Sequence, residues 1–127
     1  MTRKFFSTLF LIVSLTVGLG AFGHGHQWSA HVAAALGGVA PDAVSLLELI
    51  WFWVSGTMLA FGGLLVWCWW RLRRGDMSLA PVVWVAGGFY ILAGTWGALW
   101  LGPFFWLFPV QALLLWLSTW MLRSKAA

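Results

Sequence analysis

The three histidines of the chain lie close together, at positions 24, 26 and 31. Imidazole is a ligand for zinc, copper and nickel, and the nearest carboxylates downstream are Asp42 and Glu48. If a helix continues through this segment, His24, Gln27 and His31 share one of its faces. A transition-metal site formed by His24, His26, His31, Asp42 and Glu48 is one interpretation. The favoured interpretation is that the histidines only mark where a helix reaches water, because their spacing matches no defined zinc motif.

Glu48 has a second interpretation, as part of a helix cap. The sequence from Ser45 to Glu48 matches a capping box, in which each side chain bonds to the other residue's backbone N–H group. The carboxylate would also be stabilised by the positive N-terminus of the helix. A proton-coupled role would need a buried carboxyl group. The spacing therefore predicts a helix that is capped at Ser45.

Four polar residues fall near the middle of long apolar segments, namely Ser14, Thr57, Tyr90 and Gln111. Apolar surroundings give such side chains no partner, so we expect them to form hydrogen bonds between helices. The layer has two interpretations: structural hydrogen bonds worth about 1 kcal/mol each, or a small polar cavity that binds a substrate. Tyr90 and Gln111 are the pair to test first. The sequence contains no glycine-rich phosphate loop and no nucleophile elbow.

The elements that position these residues are four long apolar segments, at 5–23, 46–70, 79–101 and 104–122. The segments have 19 to 25 residues each. About 18 apolar residues are enough to cross a hydrocarbon core roughly 30 Å thick. The chain of 127 residues is 62% hydrophobic and 8% charged, which is more apolar surface than a small soluble domain can bury. The sequence predicts one all-α integral-membrane domain over 1–127, a four-helix bundle with the lipid bilayer as its main partner.

The cations lie before the first segment, between the second and third, and after the fourth, so they all fall on one side of the predicted membrane. The seven basic residues are Arg3, Lys4, Arg71, Arg73, Arg74, Arg123 and Lys125, whereas 23–45 and 101–104 contain no lysine or arginine. By the positive-inside rule, both termini and the loop at 71–76 are expected in the cytoplasm of a bacterial cell, with the protein in its inner membrane. The net charge of +4 is explained by this topology, so no nucleic-acid partner is predicted.

The first apolar segment allows two outcomes. Its basic start and the small residues Ala21 and Gly23 resemble a signal peptide that is cleaved after 1–23. The apolar run is long for a signal peptide, and Ser14 and Gly18 form a small-xxx-small pair that favours packing as a retained helix. Retention is the favoured interpretation. The segment 28–36 is then expected to form a short separate helix at the outer interface.

Small residues recur along the predicted helices. Gly56, Ala60 and Gly63 share a face of the second span, and Gly87, Gly94 and Ala98 share a face of the third. Such faces let helices approach closely in lipid. Most of the 12 tryptophans lie near span ends, as in the aromatic belts of membrane proteins.

The chain resembles small four-helix bacterial inner-membrane proteins of the DoxX-like and related kinds. The resemblance rests on the four spans, the inner loop "RLRRGD" and the final hairpin "GPFFWLFPVQALLLW". It implies membrane residence and a role beside redox or respiratory partners, and it implies no catalytic residue. The small multidrug-resistance transporters are of similar size, but they depend on a glutamate deep in the first span, which this chain lacks.

Three functions follow as hypotheses from these observations. The first is a structural or partner-binding subunit without catalytic activity, which binds a membrane protein or further copies of itself through helix packing. The second is a metal- or small-solute-handling protein that uses the outer histidines and acids. The third is a membrane-embedded, lipid-modifying enzyme with Tyr90, Gln111 and Glu48 around a cavity; it ranks last because no general acid–base pair can be identified.

Overall fold

The computed structural model describes residues 2–123, and within them the chain is helical and has no strand. We number the four long helices in chain order: α1 (Thr2–Gln27), α2 (Pro41–Leu72), α3 (Ala80–Trp100) and α4 (Leu107–Arg123). A π-helical turn (Trp28–Val32) and one α-helical turn (Ala33–Ala35) extend α1, and a 3-10 turn (Pro103–Trp106) leads into α4. The predicted all-α architecture is confirmed.

All four helices are long and apolar enough to cross a membrane. With their extensions they cover Arg3–Ala35, Pro41–Leu72, Ala80–Trp100 and Pro103–Arg123. The first two have 33 and 32 residues and the last two have 21 each. At 1.5 Å per residue, the first pair is about 50 Å long and the second pair about 30 Å. A hydrogen bond from Gln111 in α4 to Thr16 in α1 fixes their relative height. The hairpin of α1 and α2 therefore extends about 15 Å beyond the α3–α4 turn.

The end of the first helix differs from the prediction. The helix does not stop at Gly23, and the segment from Trp28 onward continues it without a break instead of forming a separate helix. Glycine is tolerated inside a helix at a modest cost, and the buried Trp28 side chain holds the extension against α2. The helix ends only before Gly38, whose φ of +92° suits glycine.

The start of α2 also differs from the prediction. The helix begins at Pro41, one turn before the proposed cap, and Ser45 lies inside it. Proline fits the first helical position because no N–H group is needed there, and Asp42 lies in the first turn, where the helix dipole stabilises a carboxylate. The Ser45–Glu48 capping box is therefore wrong, since the N–H groups at Ser45 belong to the helix interior.

The close contact between α1 and α2 joins one predicted glycine, Gly18, to one that was not predicted, Gly62. Gly62 of α2 packs directly on the backbone of Gly18 in α1. Gly56 and Gly63, by contrast, have no atom of another helix within 4 Å of the position where a Cβ would lie. The predicted stripe of small residues on α2 therefore faces away from the other helices of residues 2–123.

The contact between α3 and α4 uses two of the predicted glycines. A Cβ on Gly87 would lie 2.8 Å from Cδ1 of Trp116, and one on Gly94 would lie 2.7 Å from Cβ of Phe108. The turn between these helices contains Gly102, with φ of +138°, followed by Pro103 at the start of the 3-10 turn. This tight turn makes α3 and α4 an antiparallel hairpin, as the sequence predicts.

The order of the helices across the bundle is α2, α1, α4, α3, because α1 packs against both α2 and α4 while α2 and α3 touch only briefly. Side chains from all four helices form one core, which includes Phe10, Val17, Leu65, Leu72, Val83, Tyr90, Leu115 and Leu122. Of the residues in the most apolar stretch of α2, only 11% are buried, compared with 33–39% in the other three spans. Most of the α2 surface is therefore left for lipid or for another helix.

Candidate functional site

His24 is the histidine that the fold holds in place. Its half-buried ring stacks on the indole of Trp51 in α2, with ring centroids 4.2 Å apart and an interplanar angle of 13°. Its Nδ1 atom lies 2.9 Å from Oγ of Ser55. The Ser55 hydroxyl also donates to the Trp51 carbonyl at 3.3 Å. Because a hydroxyl has one hydrogen, this arrangement favours the His24 tautomer with its N–H at Nδ1.

The indole of Trp51 completes this outer cluster. Its N–H donates to the His24 carbonyl at 2.7 Å, and its ring lies 5.9 Å from the buried ring of Trp28. The π-helical turn of α1 begins at Trp28. Such turns are often found at functional sites. Here the cluster of His24, Trp28, Trp51 and Ser55 joins the C-terminal part of α1 to the N-terminal part of α2 through stacking and hydrogen bonds.

The predicted metal ligands do not gather around His24. The side chains of His26, His31, Asp42 and Glu48 are exposed. The π-helical turn adds a residue to one turn of the helix, so His31 no longer shares the half-buried face of His24. In residues 2–123, no three His, Cys, Asp or Glu side chains lie close enough to hold one metal ion.

The four polar residues of the predicted mid-membrane layer do not form one network either. The hydroxyls of Ser14 and Thr57 each donate at 2.8 Å to the backbone of their own helix, at Phe10 and Val54. Gln111 is different, because its amide nitrogen donates to Oγ1 of Thr16 in α1 at 3.2 Å. Hydrogen bonding between helices is thus observed for Gln111.

The buried ring of Tyr90 packs among aromatic side chains. Its edge-to-face neighbours are Phe61 of α2, Phe89 of its own helix and Phe108 of α4, at centroid distances of 6.3, 6.3 and 5.7 Å. Edge-to-face pairs of this kind contribute about 0.5–1.5 kcal/mol each beyond the area that they bury. Tyr90 therefore stabilises the contact between three helices, and none of these neighbours is a polar residue of the predicted layer.

Two buried polar atoms of α4 have no hydrogen-bond partner within residues 2–123: Oε1 of Gln111 and Oγ of Ser118. An unpaired buried acceptor opposes folding. The bond between Gln111 and Thr16 therefore joins α4 to α1 while leaving half of the amide group unsatisfied. Sequence reasoning missed Thr16, since only the packed helices show that it faces Gln111.

The outward side of α2 carries a shallow apolar groove of about 410 Å³. It is lined by Leu49, Phe52, Trp53, Gly56, Thr57 and Ala60. Within this lining, the Trp53 side chain is 71% exposed. The groove contains two of the three predicted small residues, with large side chains toward the N-terminal end of α2.

Neither models of protein families, nor curated proteins, nor solved structures give a match to this chain. The resemblance to DoxX-like proteins stays a prediction at the level of topology. The function must be inferred from the surfaces that the fold creates.

Proposed function

We propose that this protein is a structural subunit of the bacterial inner membrane that works through helix packing. In this proposal both termini lie in the cytoplasm, and α1 is retained in the mature protein. Retention is supported by the central position of α1, which contributes Phe10 and Val17 to the core between α2 and α4. The outward face of α2 is the surface on which another transmembrane helix packs.

The observation that carries the proposal is a packing surface that the chain does not use. Gly56, Ala60 and Gly63 follow helical spacing, and neither glycine is approached by another part of residues 2–123. Packing is the main force that holds helices together in lipid, and small residues at such spacing let two backbones approach closely. The low burial of α2 supports the proposal, because an extended face of the helix, and not one residue, is left uncovered within residues 2–123.

The occupant that we propose is α2 of a second copy. Two copies inserted with the same orientation are related by a two-fold axis along the bilayer normal. Their second helices then lie parallel to each other. Gly56 and Ala60 have the small-xxx-small spacing that is typical of parallel helix pairs. The neighbouring aromatic side chain of Phe52 or Trp53 in one copy can then lie in the groove of the other.

The proposal is tested by measuring self-association of the purified protein. We expect wild type to have twice the chain mass of 14.1 kDa in mild detergent, and to show energy transfer between labelled copies in lipid vesicles. The double variant Gly56→Leu/Ala60→Leu should be monomeric, because the larger side chains keep the two backbones apart. Gly88→Leu is the matched control, since Gly88 lies on α3 and also has no atom within 4 Å of its Cβ position.

The outcomes separate the proposal from its alternatives. A wild-type protein that stays monomeric at every protein-to-lipid ratio would refute self-assembly and leave an unlike membrane protein as the partner. Loss of association in the Gly88→Leu control as well would show that the effect is not specific to α2. Circular dichroism of each variant checks that its helices are intact. Neither the outer acids and histidines nor the mid-membrane residues form a cluster in residues 2–123, so they carry no second proposal.

A further inference from the structure

The basic end of the bundle brings together cations from three helices and the loop that follows α2. Arg3 and Lys4 lie in the first turn of α1, Arg71 in the last turn of α2, and Arg123 at the end of α4; Arg73 and Arg74 come directly after α2. Among residues 2–123, Asp76 is the carboxylate of this end, whereas Asp42 and Glu48 lie near the opposite end of α2. Asp42 and Glu48 lie about 35–45 Å along the helix from Arg71, well beyond the screening length in physiological salt.

Asp76 is fully engaged by its neighbours. One carboxylate oxygen accepts a hydrogen bond of 2.9 Å from the backbone N–H of Ser78, and the other forms an ion pair with Arg71. These hydrogen bonds to Ser78 and Arg71 lower the pKa of Asp76 to about 2. The carboxylate is therefore ionised at neutral pH, and its charge is directed at Arg71. It is the one ion pair found in residues 2–123.

Arg73 and Arg74 are held on tryptophan rings. The Arg73 guanidinium lies 4.7 Å from the ring centroid of Trp69, and the Arg74 guanidinium lies 3.8 Å from that of Trp70. A guanidinium that stacks on a ring keeps its N–H donors free at its edge. Tryptophans at the end of a span lie at the level of the lipid headgroups. The two guanidinium groups are therefore held at that level with free donors.

Arg3 joins this pair from the neighbouring helix. Its guanidinium donates a hydrogen bond of 3.3 Å to the backbone carbonyl of Arg73. The ends of α1 and α2 are fixed to each other nearby, because the indole N–H of Trp69 donates to Oγ of Ser7 at 3.0 Å. Three exposed guanidinium groups without an acidic partner among residues 2–123 thus lie in the region where α1 begins and α2 ends.

We propose that Arg3, Arg73 and Arg74 form a binding site for the phosphate group of an anionic membrane lipid. Guanidinium groups bind phosphate oxygens through paired, charge-assisted hydrogen bonds. The anion would also reduce the repulsion among the three cations. A lipid is favoured over free phosphate because the supporting tryptophans place the site at the membrane boundary, with the half-exposed Trp67 and Trp70 available to the acyl chains.

The experiment measures how much lipid the purified full-length protein binds. Wild type is reconstituted in vesicles of phosphatidylglycerol and phosphatidylcholine, and the lipids retained after extraction in mild detergent are identified by native mass spectrometry. We expect wild type to retain phosphatidylglycerol selectively. The variant Arg3→Gln/Arg73→Gln should lose roughly tenfold or more in apparent affinity, because it removes two of the three guanidinium groups that bind the phosphate through charge-assisted hydrogen bonds.

The matched control is Lys4→Gln/Arg123→Gln, which removes the same charge from the same end but leaves the three arginines in place. Equal loss in both variants would refute a defined site, because only total charge would then matter. Equal retention of phosphatidylcholine by wild type would also refute it. A third arm adds inorganic phosphate at the lipid concentration. Displacement of the lipid in that arm would show that the site binds free phosphate and would overturn the lipid assignment.

Discussion

The contact of Gly62 with Gly18 predicts a large difference between two neighbouring glycines of the same helix. In Gly62→Ala, the new Cβ would lie 2.5 Å from the backbone nitrogen of Gly18 and 3.2 Å from the carbonyl oxygen of Ser14. Both atoms belong to the α1 backbone, so no side-chain rotation can relieve the overlap. In Gly63→Ala, the new Cβ has no atom within 4 Å.

The magnitude follows from this geometry. Non-bonded heavy atoms prefer a separation of about 3.5–4.0 Å, so α1 and α2 would have to move apart by about 1 Å in Gly62→Ala. Overpacking of this kind typically costs about 1–3 kcal/mol. The change in helix propensity from glycine to alanine is the same at both positions and cancels in the comparison. We expect Gly62→Ala to be less stable than Gly63→Ala by about 1–3 kcal/mol.

The assay is reversible unfolding in mixed micelles with increasing SDS, at dilutions where the protein is monomeric and Gly63 lies outside any interface between copies. Unfolding is followed by circular dichroism and tryptophan fluorescence. Gly18→Ala adds an internal check, because its Cβ would lie 3.4 Å from Cα of Gly62 and needs only a small shift. The expected order of stability is Gly63→Ala, then Gly18→Ala, then Gly62→Ala. Equal free energies of unfolding for Gly62→Ala and Gly63→Ala would refute the proposed contact between α1 and α2.

Two further predictions concern polar groups. Thr16→Val should cost about 1–3 kcal/mol in the same unfolding assay, because it leaves the Gln111 amide without its partner. Gln111→Leu should cost less than Thr16→Val, since it also removes the unpaired Oε1 atom; the opposite order would contradict this interpretation. The lowered pKa of Asp76 should stabilise the folded protein above about pH 4, and this contribution should be lost as the pH falls toward 2. Asp76→Asn should therefore lose less stability than wild type over that range, and an unchanged pH profile would contradict the hydrogen bonds that Ser78 and Arg71 donate to Asp76.

Much of the architecture is determined by the sequence alone. Long apolar segments must become helices in lipid because their backbone groups can bond only to one another. Gly102 and Pro103 break the last apolar region into two spans, since they suit a tight turn. The boundaries of 3–35 and 41–72 were harder to predict, because Gly23 and Gly25 lie inside the helix although glycine is also common at helix ends, and Pro41 can start a helix as well as end a turn.

The faces of the helices were decided by the tertiary structure. A helix that is apolar all round has no polar stripe to show which side packs inward, so its rotation cannot be read from its sequence. Gly56 and Gly63 match the small-residue pattern as well as Gly62 does, but only Gly62 meets Gly18. The rotation of the helices likewise decides that His24 meets Ser55 and that Gln111 meets Thr16. The sequence determined that four spans exist and where the cations lie, whereas the packing of backbones against each other decided which side chains meet.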